Sequence, residues 1–421
     1  MLVSGFASAP FLSALVLGPL LALLLAAYPA LVVLSPELVH ARGDELRWRS
    51  PWGDGLLPVI GDAPTVQLSI VVPAYNEAAR LPKMLDETLA ALASREPLVG
   101  GEATGEASAA VTLDEALSGA LDTVEVLVVD DGSSDGTAEV VLAHAREHKE
   151  QWGRTECRVV RLARNRGKGG AVRHGVLHAR GALILFADAD GATTFSALRP
   201  LAQELARIRT PAGHGIAVGS RAHLVGSEAV VKRSFVRNFL MHGFHLFLSL
   251  LLRPPSPQAL LARYLPVKAT HTALPAQPLI QDTQCGFKLF TRASARTAFE
   301  GMHINRWIFD VEALLRAEMA SQTALRRVAL RGGMAAVRAK EATGKSAEVG
   351  TDSAEDPLLL LPLPIAEVPV EWTEVDGSKI DLLKDSVGMA LDLLVIRANY
   401  ALGRWPRPPP ARVDAAETCA R

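Results

Sequence analysis

The sequence predicts an α/β protein built on a Rossmann-like, mostly parallel sheet and preceded by one membrane-spanning helix. Three observations carry that reading. Short apolar runs alternate with amphipathic stretches through the middle of the chain, and three polar clusters each follow directly on one of those runs. The first 36 residues, in addition, contain no charged side chain. With 421 residues the chain is long enough for a full hydrophobic core.

The N-terminal segment "FLSALVLGPLLALLLAAYPALVVL" (11–34) exceeds the roughly 20 apolar residues that a bilayer-crossing helix needs. No Lys or Arg precedes it and no small-x-small cleavage site follows, so an uncleaved anchor is expected rather than a signal peptide. Pro19 and Pro29 are tolerable in a membrane helix. Arg42, Arg47 and Arg49 come after the segment, which by the positive-inside bias places the body of the protein in the cytoplasm. Cys157, Cys285 and Cys419 are too few and too scattered for a disulfide framework or a zinc site, in keeping with reducing surroundings. Residues 1–36 are thus read as the anchor and 37–65 as a linker.

Beyond the linker, "QLSIVV" (67–72), "VEVLVVD" (124–130), "CRVVRLA" (157–163), "ALILFAD" (182–188) and "GIAVGS" (215–220) read as buried strands. The stretches "EAARLPKMLDETLAALAS", "DGTAEVVLAHAREHKE" and "GGAVRHGVLHAR" between them read as helices. Such alternation implies parallel strands joined by right-handed crossovers, with ligands beyond the carboxyl ends of the strands. The domain runs over 66–405, with inserts near 96–120, 253–278 and 331–357 read as surface loops and 406–421 as a tail. A net charge of −1 gives no bulk attraction to nucleic acid.

The three polar clusters are "PAYNE" (73–77), "DDGSSDGT" (130–137) and "DADGATT" (188–194). Asp188 and Asp190 stand two residues apart on an extended chain, so they share one side and repel unless a cation lies between them. A solvated loop is the bland alternative for one such pair taken alone. Two acidic clusters at one sheet edge favour Mg²⁺ or Mn²⁺ under phosphate oxygens, with Asp188 and Asp190 as its carboxylates. Asp130 and Asp131 can accept hydrogen bonds from a base N–H or a ribose hydroxyl, while Ser133 or Ser134 would cap the following helix. In "RNRGKGG", Gly167, Gly169 and Gly170 with Lys168 stand just ahead of a helix, a placement that suits a phosphate or a merely structural turn. Neither a Walker A spacing nor a G-x-G-x-x-G fingerprint is present.

"SIVVPAYNEAARL", "VEVLVVDDGSSDGT" and "DADGATT" resemble the sugar-nucleotide half of family-2 inverting glycosyltransferases of GT-A fold. "VGSRAHL", "QDTQCGFKLFTR", "RWIFDVEALL" and "VPVEWTEVDGSKI" follow in order. They are similar to the branch of that family that moves glucose from UDP-glucose onto dolichyl phosphate for protein N-glycosylation. The resemblance covers most of residues 66–405 outside the inserts. It implies that Pro73, Ala74, Tyr75, Glu77 and Asp130 hold the uridine, together with Asp131 and Lys168 on the donor side. It further implies that Asp188 and Asp190 hold the metal and diphosphate, and that Arg233, Arg237 and Lys288 meet the acceptor phosphate. Asp282 falls where many relatives keep a catalytic carboxylate alongside Asp190. A phosphate acceptor is already anionic and can attack without a base, so Asp282 can instead orient the sugar or a basic neighbour. An endoplasmic reticulum membrane location is implied as well.

Two further segments bear on lipid. "FVRNFLMHGFHLFLSLLL" (235–252) carries Arg237, His242 and His245 and is expected to lie in the membrane interface rather than to span it. Residues 385–405 form a second amphipathic candidate, which Asp392 and Arg397 would restrict to the surface. In "NRWIFD", position 303 is His rather than the Gln of the Q-x-x-R-W motif used by processive relatives, which argues against polymerisation. The same chemistry with GDP-mannose is the nearest rival, and a non-catalytic UDP-sugar-binding membrane protein or scaffold is the next. The intact Asp130, Asp188, Asp190 and Lys288 oppose a non-catalytic reading.

Overall fold

In the computed structural model the described residues are 27–100, 110–210, 212–223, 280, 282–330, 363–375 and 382–409. Strands Arg47–Ser50 (β1) and Gly53–Leu56 (β2) come first, then Val66–Ala74 (β3), Val124–Asp130 (β4), Thr155–Arg161 (β5) and Gly181–Ala187 (β6). Ile216–Ser220 (β7), Phe287–Thr291 (β8) and Ile365–Pro369 (β9) complete one nine-stranded sheet, ordered β2-β1-β5-β4-β3-β6-β8-β7-β9. The expected sheet is present, and its centre is parallel: β5, β4, β3 and β6 all run one way.

These central strands are buried on both faces, which explains why they read as unbroken apolar runs. Alternate side chains serve two cores. Leu68, Ile70 and Val72 join Val126, Val128, Leu183 and Leu185 beneath helices Leu81–Leu92 (α1) and Thr137–Glu147 (α2). Val71, Leu127, Val129, Ile184 and Phe186 face the other way, towards helices Lys168–Leu177 (α3), Arg292–Phe299 (α4), Phe309–Leu330 (α5) and Leu382–Ala401 (α6). Period-2 alternation between two helix layers is what a doubly covered sheet requires.

A strand not among those expected, β8, lies between β6 and β7 and runs antiparallel to both. Two expectations change. Residues 37–65 are more than a linker: β1 and β2 form an antiparallel hairpin, and β1 joins β5 through the pair Arg49↔Val159. The Arg158 guanidinium lies 4.2 Å from the Trp48 ring centre. Buried Glu45 also fastens this segment by pairing with Arg166 and accepting the Ala163 N–H at 3.0 Å. Within the 96–120 insert, Thr112 caps a helix over Leu113–Ser118, and Leu98, Ala116 and Leu117 are buried. The small residues of 96–120 give it the composition of a surface loop and hide a short packed helix. The inserts at 253–278 and 331–357 lie outside the described residues.

Among the described residues no helix is long and apolar enough to cross a membrane. Most of the expected 11–34 span lies outside them, as does 235–252. Residues 27–34 are helical, and their end rests on α6: Asn399 donates to the Ser35 hydroxyl at 2.7 Å, and Arg404 lies 5.7 Å from the Tyr28 ring centre. Contrary to expectation, Asp392 of α6 is buried and pairs with Arg306 at 3.2 Å, while Leu393, Ile396 and Tyr400 enter the core. The exposed side of α6 carries Val387, Leu391 and Leu394, and Tyr28, Val32, Val33 and Leu34 are exposed beside it in the preceding helix.

Candidate active site

Parallel register brings the three polar clusters to one edge. Ala74 lies opposite Asp130, and Val71 opposite Phe186, so the loops after β3, β4 and β6 leave the sheet together. The first two loops are zipped by backbone N–H groups. Ser133 Oγ accepts the Asn76 N–H at 2.9 Å, Thr137 Oγ1 accepts that of Glu77 at 2.9 Å, and Asp135 accepts that of Ala78 at 3.0 Å. In return Asn76 Oδ1 accepts the Ser134 N–H at 2.9 Å, from a left-handed backbone (φ 52°) that Asn tolerates. The serines therefore do not cap α2; Gly136 is its N-cap, at φ 80°.

Donor-side residues fall into two groups. Tyr75 is 38 % exposed at the edge, with Pro73 half-buried and Ala74 buried behind it. Glu77 is buried and grips Arg80 through both carboxylate oxygens at 2.6 Å. Asp130 is buried, accepts the Ser133 N–H at 2.8 Å and has Arg161 Nε at 3.6 Å. Asp131 accepts the N–H groups of Arg166 at 2.7 Å and Gly167 at 2.8 Å. Burial outweighs those bonds and pushes its pKa up to about 7. The two carboxylates thus set the shapes of the loops at this edge.

The glycine loop is a close-packing device. A Cβ on Gly167 would lie 2.6 Å from the Asn305 carbonyl oxygen, and one on Gly169 2.4 Å from Phe309 Cβ. The loop is thereby pressed onto the "NRWIF" segment, and Gly170 donates to the Asn305 carbonyl at 3.0 Å. That packing aims Lys168 inward. Its ammonium sits 2.7 and 2.9 Å from the two carboxylate oxygens of Asp188.

Asp188 and Asp190 follow directly on β6. Asp190 Oδ1 accepts the Ala192 N–H at 3.0 Å, which fixes its rotamer. Burial and then the neighbouring Asp188 charge raise the Asp190 pKa, against Lys168 and Arg80. An arrangement of hard oxygen donors whose charges repel, with an ammonium already drawn to Asp188, fits Mg²⁺ or Mn²⁺. Gly286 backs this pair: its carbonyl accepts the Asp188 N–H at 3.0 Å, and a Cβ there would lie 1.9 Å from Asp188 Oδ2. Another His/Asp group, Asp86 with His144 and His148, also gathers its ligand atoms within 4.8 Å of one another. There the Trp152 indole donates to His144 Nδ1 at 3.4 Å, leaving Nε2 protonated and facing Asp86 at 3.0 Å. That tautomer suits a hydrogen bond rather than a metal.

On the far side of the edge, Asp282 is clasped by Arg221. Its oxygens accept the Arg221 N–H at 2.9 Å, Nε at 2.7 Å and Nη2 at 2.9 Å. Burial works against its charge, but the Arg221 bonds dominate and hold its pKa below the ordinary range. Asp282 is therefore a poor proton acceptor and a good holder of Arg221, a residue to which sequence reasoning assigns no role. Its sequence signals are a position directly after β7 and a place in "VGSRAHL". Lys288 departs from expectation. It is 1 % exposed, bonded to the Cys285 carbonyl at 2.5 Å and to Asp310 at 3.1 Å, so it is no open acceptor-side cation. Its place on β8, between β6 and β7, turns it into the core. Arg233 and Arg237 lie outside the described residues.

A family model for glycosyl transferase family 2 matches residues 69–223. Dolichyl-phosphate beta-glucosyltransferase of Drosophila melanogaster is 39 % identical over 83 % of this chain and 79 % of its own. The Homo sapiens protein of the same name is 37 % identical over 83 % and 80 %, and that of Saccharomyces cerevisiae 33 % over 81 % and 77 %. Among solved structures, Mycobacterium tuberculosis glucosyl-3-phosphoglycerate synthase in complex with Mn²⁺, UDP-glucose and phosphoglyceric acid matches at TM-score 0.34. It is 15 % identical and covers 79 % of each chain.

Proposed function

This chain belongs to the dolichyl-phosphate beta-glucosyltransferases, glycosyltransferases of GT-A-like fold, and on that premise we propose that it transfers glucose from UDP-glucose to dolichyl phosphate with inversion. The observation that carries the reading is the Asp188–Asp190 pair at the shared edge of β3, β4 and β6, with Lys168 against it. Tyr75 and the loops fixed by Asp130 and Asp131 receive the uridine. Asp188 and Asp190 would hold Mg²⁺ or Mn²⁺, and the ion would supply charge neutralisation to the departing UDP. The acceptor phosphate is its own nucleophile. It needs cations for positioning and no base, which agrees with an Asp282 committed to Arg221.

The acceptor is lipid-borne, and the apolar side chains exposed on α6 and on residues 27–34 support contact with a membrane surface. We read 11–34 as a single anchor in the endoplasmic reticulum membrane, with the catalytic domain in the cytoplasm. The test uses the full chain in detergent with dolichyl phosphate and labelled UDP-glucose, UDP-galactose and GDP-mannose. Labelled lipid from UDP-glucose alone is the expected result, and labelled lipid from GDP-mannose alone overturns the choice of sugar.

A further inference from the structure

Behind the carboxylate pair lies another carboxylate, to which the proposed chemistry gives no part. Asp310, at the start of α5, is 5 % exposed and gives one oxygen to Lys288 at 3.1 Å. Its other oxygen, Oδ1, is buried without a hydrogen-bond partner. A buried carboxylate oxygen left bare costs about 1–3 kcal/mol, so its persistence calls for a donor that arrives in another state. Two ammonium groups are near. Lys288 is already engaged, and Lys168 is held by Asp188. Both lie over the Phe186 ring, at 5.7 and 5.5 Å from its centre. Burial disfavours the Lys168 ammonium, yet Asp188, Asp310 and Asp190 outweigh it and raise its pKa.

The geometry points to Lys168 as a resident cation of the Asp188–Asp190 pair that withdraws towards the bare oxygen of Asp310 when a divalent metal and a nucleoside diphosphate arrive. Asp310 is then a positioning residue, acting on the metal site through Lys168. With Lys168 on Asp188, one charge of the carboxylate pair is compensated, and an incoming metal ion must displace an ammonium. With metal and diphosphate bound together, an ammonium still on Asp188 would compete for the same oxygens. Asp310 gives it somewhere else to bond. This inference rests on the proposed metal role of Asp188 and Asp190.

The test is Mn²⁺ binding to the full chain, followed by the loss of the free-ion electron paramagnetic resonance signal, with and without UDP. Lys168→Met keeps the length of the side chain and removes its charge. Without UDP it is expected to bind Mn²⁺ about tenfold or more tighter than wild type, the scale of one adjacent opposite charge. Asp310→Asn, measured with UDP, is expected to bind about tenfold weaker, because Lys168 cannot leave Asp188. The double variant should recover the affinity of Lys168→Met. If Lys168→Met binds no tighter than wild type, or a folded Asp310→Asn matches wild type, the exchange does not occur. Should Asp310→Asn fail to fold, the Lys168→Met comparison decides alone. Wild type that binds no Mn²⁺ even with UDP overturns the metal reading itself, whereas a wild type that binds beside unresponsive variants overturns only the exchange.

Discussion

The loops after β3 and β4 and the segments around Asp282 and Asp310 are both rich in carboxylates, yet they hold them in different ways. In the first region, Asp131 and Asp135 accept backbone N–H groups from neighbouring loops, and Asp130 accepts one from its own loop. In the second, Asp282 and Asp310 are matched to side-chain cations: Arg221 precedes Asp282 by 61 residues, and Lys288 precedes Asp310 by 22. Backbone donors are supplied by any residue type except proline and demand only a loop shape. Side-chain partners must be specific residues, and removing one strands a buried charge. The β3–β4 loops therefore tolerate side-chain changes that leave the turns intact, whereas the Asp282–Asp310 side is sensitive to single charge deletions.

Asp188 and Asp190 sit where the two regions meet, and the largest effect is expected there. Asp190→Asn should lower turnover about 10³-fold, the scale of losing a preorganised group that stabilises developing charge. Thermal unfolding should be little changed, since the Asn carbonyl still accepts the Ala192 N–H. Turnover assays with excess chelator, then with Mg²⁺ or Mn²⁺ restored, check the metal role in wild type. Undiminished turnover in chelator contradicts it.

A smaller loss is expected at Gly286. The methyl group of Gly286→Ala would fall within 1.9 Å of Asp188 Oδ2, so the carboxylate must move by an ångström or more. Misplacement on that scale costs about 10²-fold in rate. Mn²⁺ affinity should fall in parallel, and a variant with normal Mn²⁺ affinity and normal turnover breaks the link between β8 and the metal site.

How far the sequence is legible follows the same division. The strands β3 to β6 are legible because burial on both faces leaves unbroken apolar runs, and the clusters after them are legible because each is local. The placement of Asp188 and Asp190 needs only neighbours in the chain, whereas the loop-setting bonds of Asp131 come from Arg166 and Gly167, 35 and 36 residues further on. The β1–β2 hairpin is not legible: its "RWRS" and "GDGL" strands are half-exposed, and what recruits them is pairing to β5 and the distant contact of Arg158 with Trp48. Lys288 misleads for a related reason. The lysine inside "GFKLF" matches a basic position that the family resemblance places near the acceptor phosphate, and only the partner Asp310 on another element shows that it is buried. Arg221 escapes notice because nothing near it in the chain is acidic; Asp282 reaches it only through the fold.

Asp282 separates the two ways of holding a carboxylate at an intermediate size of effect. If Asp282 were a general base, Asp282→Asn would lose about 10²- to 10⁴-fold in turnover. As the holder of Arg221 it should lose only about tenfold, and chiefly as a raised requirement for dolichyl phosphate, because Arg221 keeps its charge but loses its clamp. Steady-state titration of dolichyl phosphate at saturating UDP-glucose distinguishes the cases. A fall in turnover of about 10³-fold at saturating acceptor restores the base.

The smallest effect on rate, and the sharpest contrast, is expected at Asp131, where the readout is stability against pH. Its two backbone donors do not offset its burial, so its pKa rises from 3.8 to about 7. In the unfolded chain the group loses its proton near pH 4, while in the folded chain it keeps it to about pH 7. Between those values the folded state binds the extra proton, so stability falls as pH rises through that window. The stabilising contribution is complete below about pH 4 and gone above the folded pKa. The full span is on the order of a few kcal/mol, because each tenfold difference in proton affinity between the folded and unfolded chain is worth about 1.4 kcal/mol. Urea unfolding of wild type from about pH 5 to pH 8 should show the decline, and Asp131→Asn, which cannot ionise, should flatten it. The variant should still transfer glucose at a rate within about tenfold of wild type, since its side-chain oxygen can keep one of the two N–H bonds. Identical slopes for the two proteins would mean that Asp131 is ionised throughout this range, and that backbone donors alone stabilise a buried charge as well as Arg221 does for Asp282.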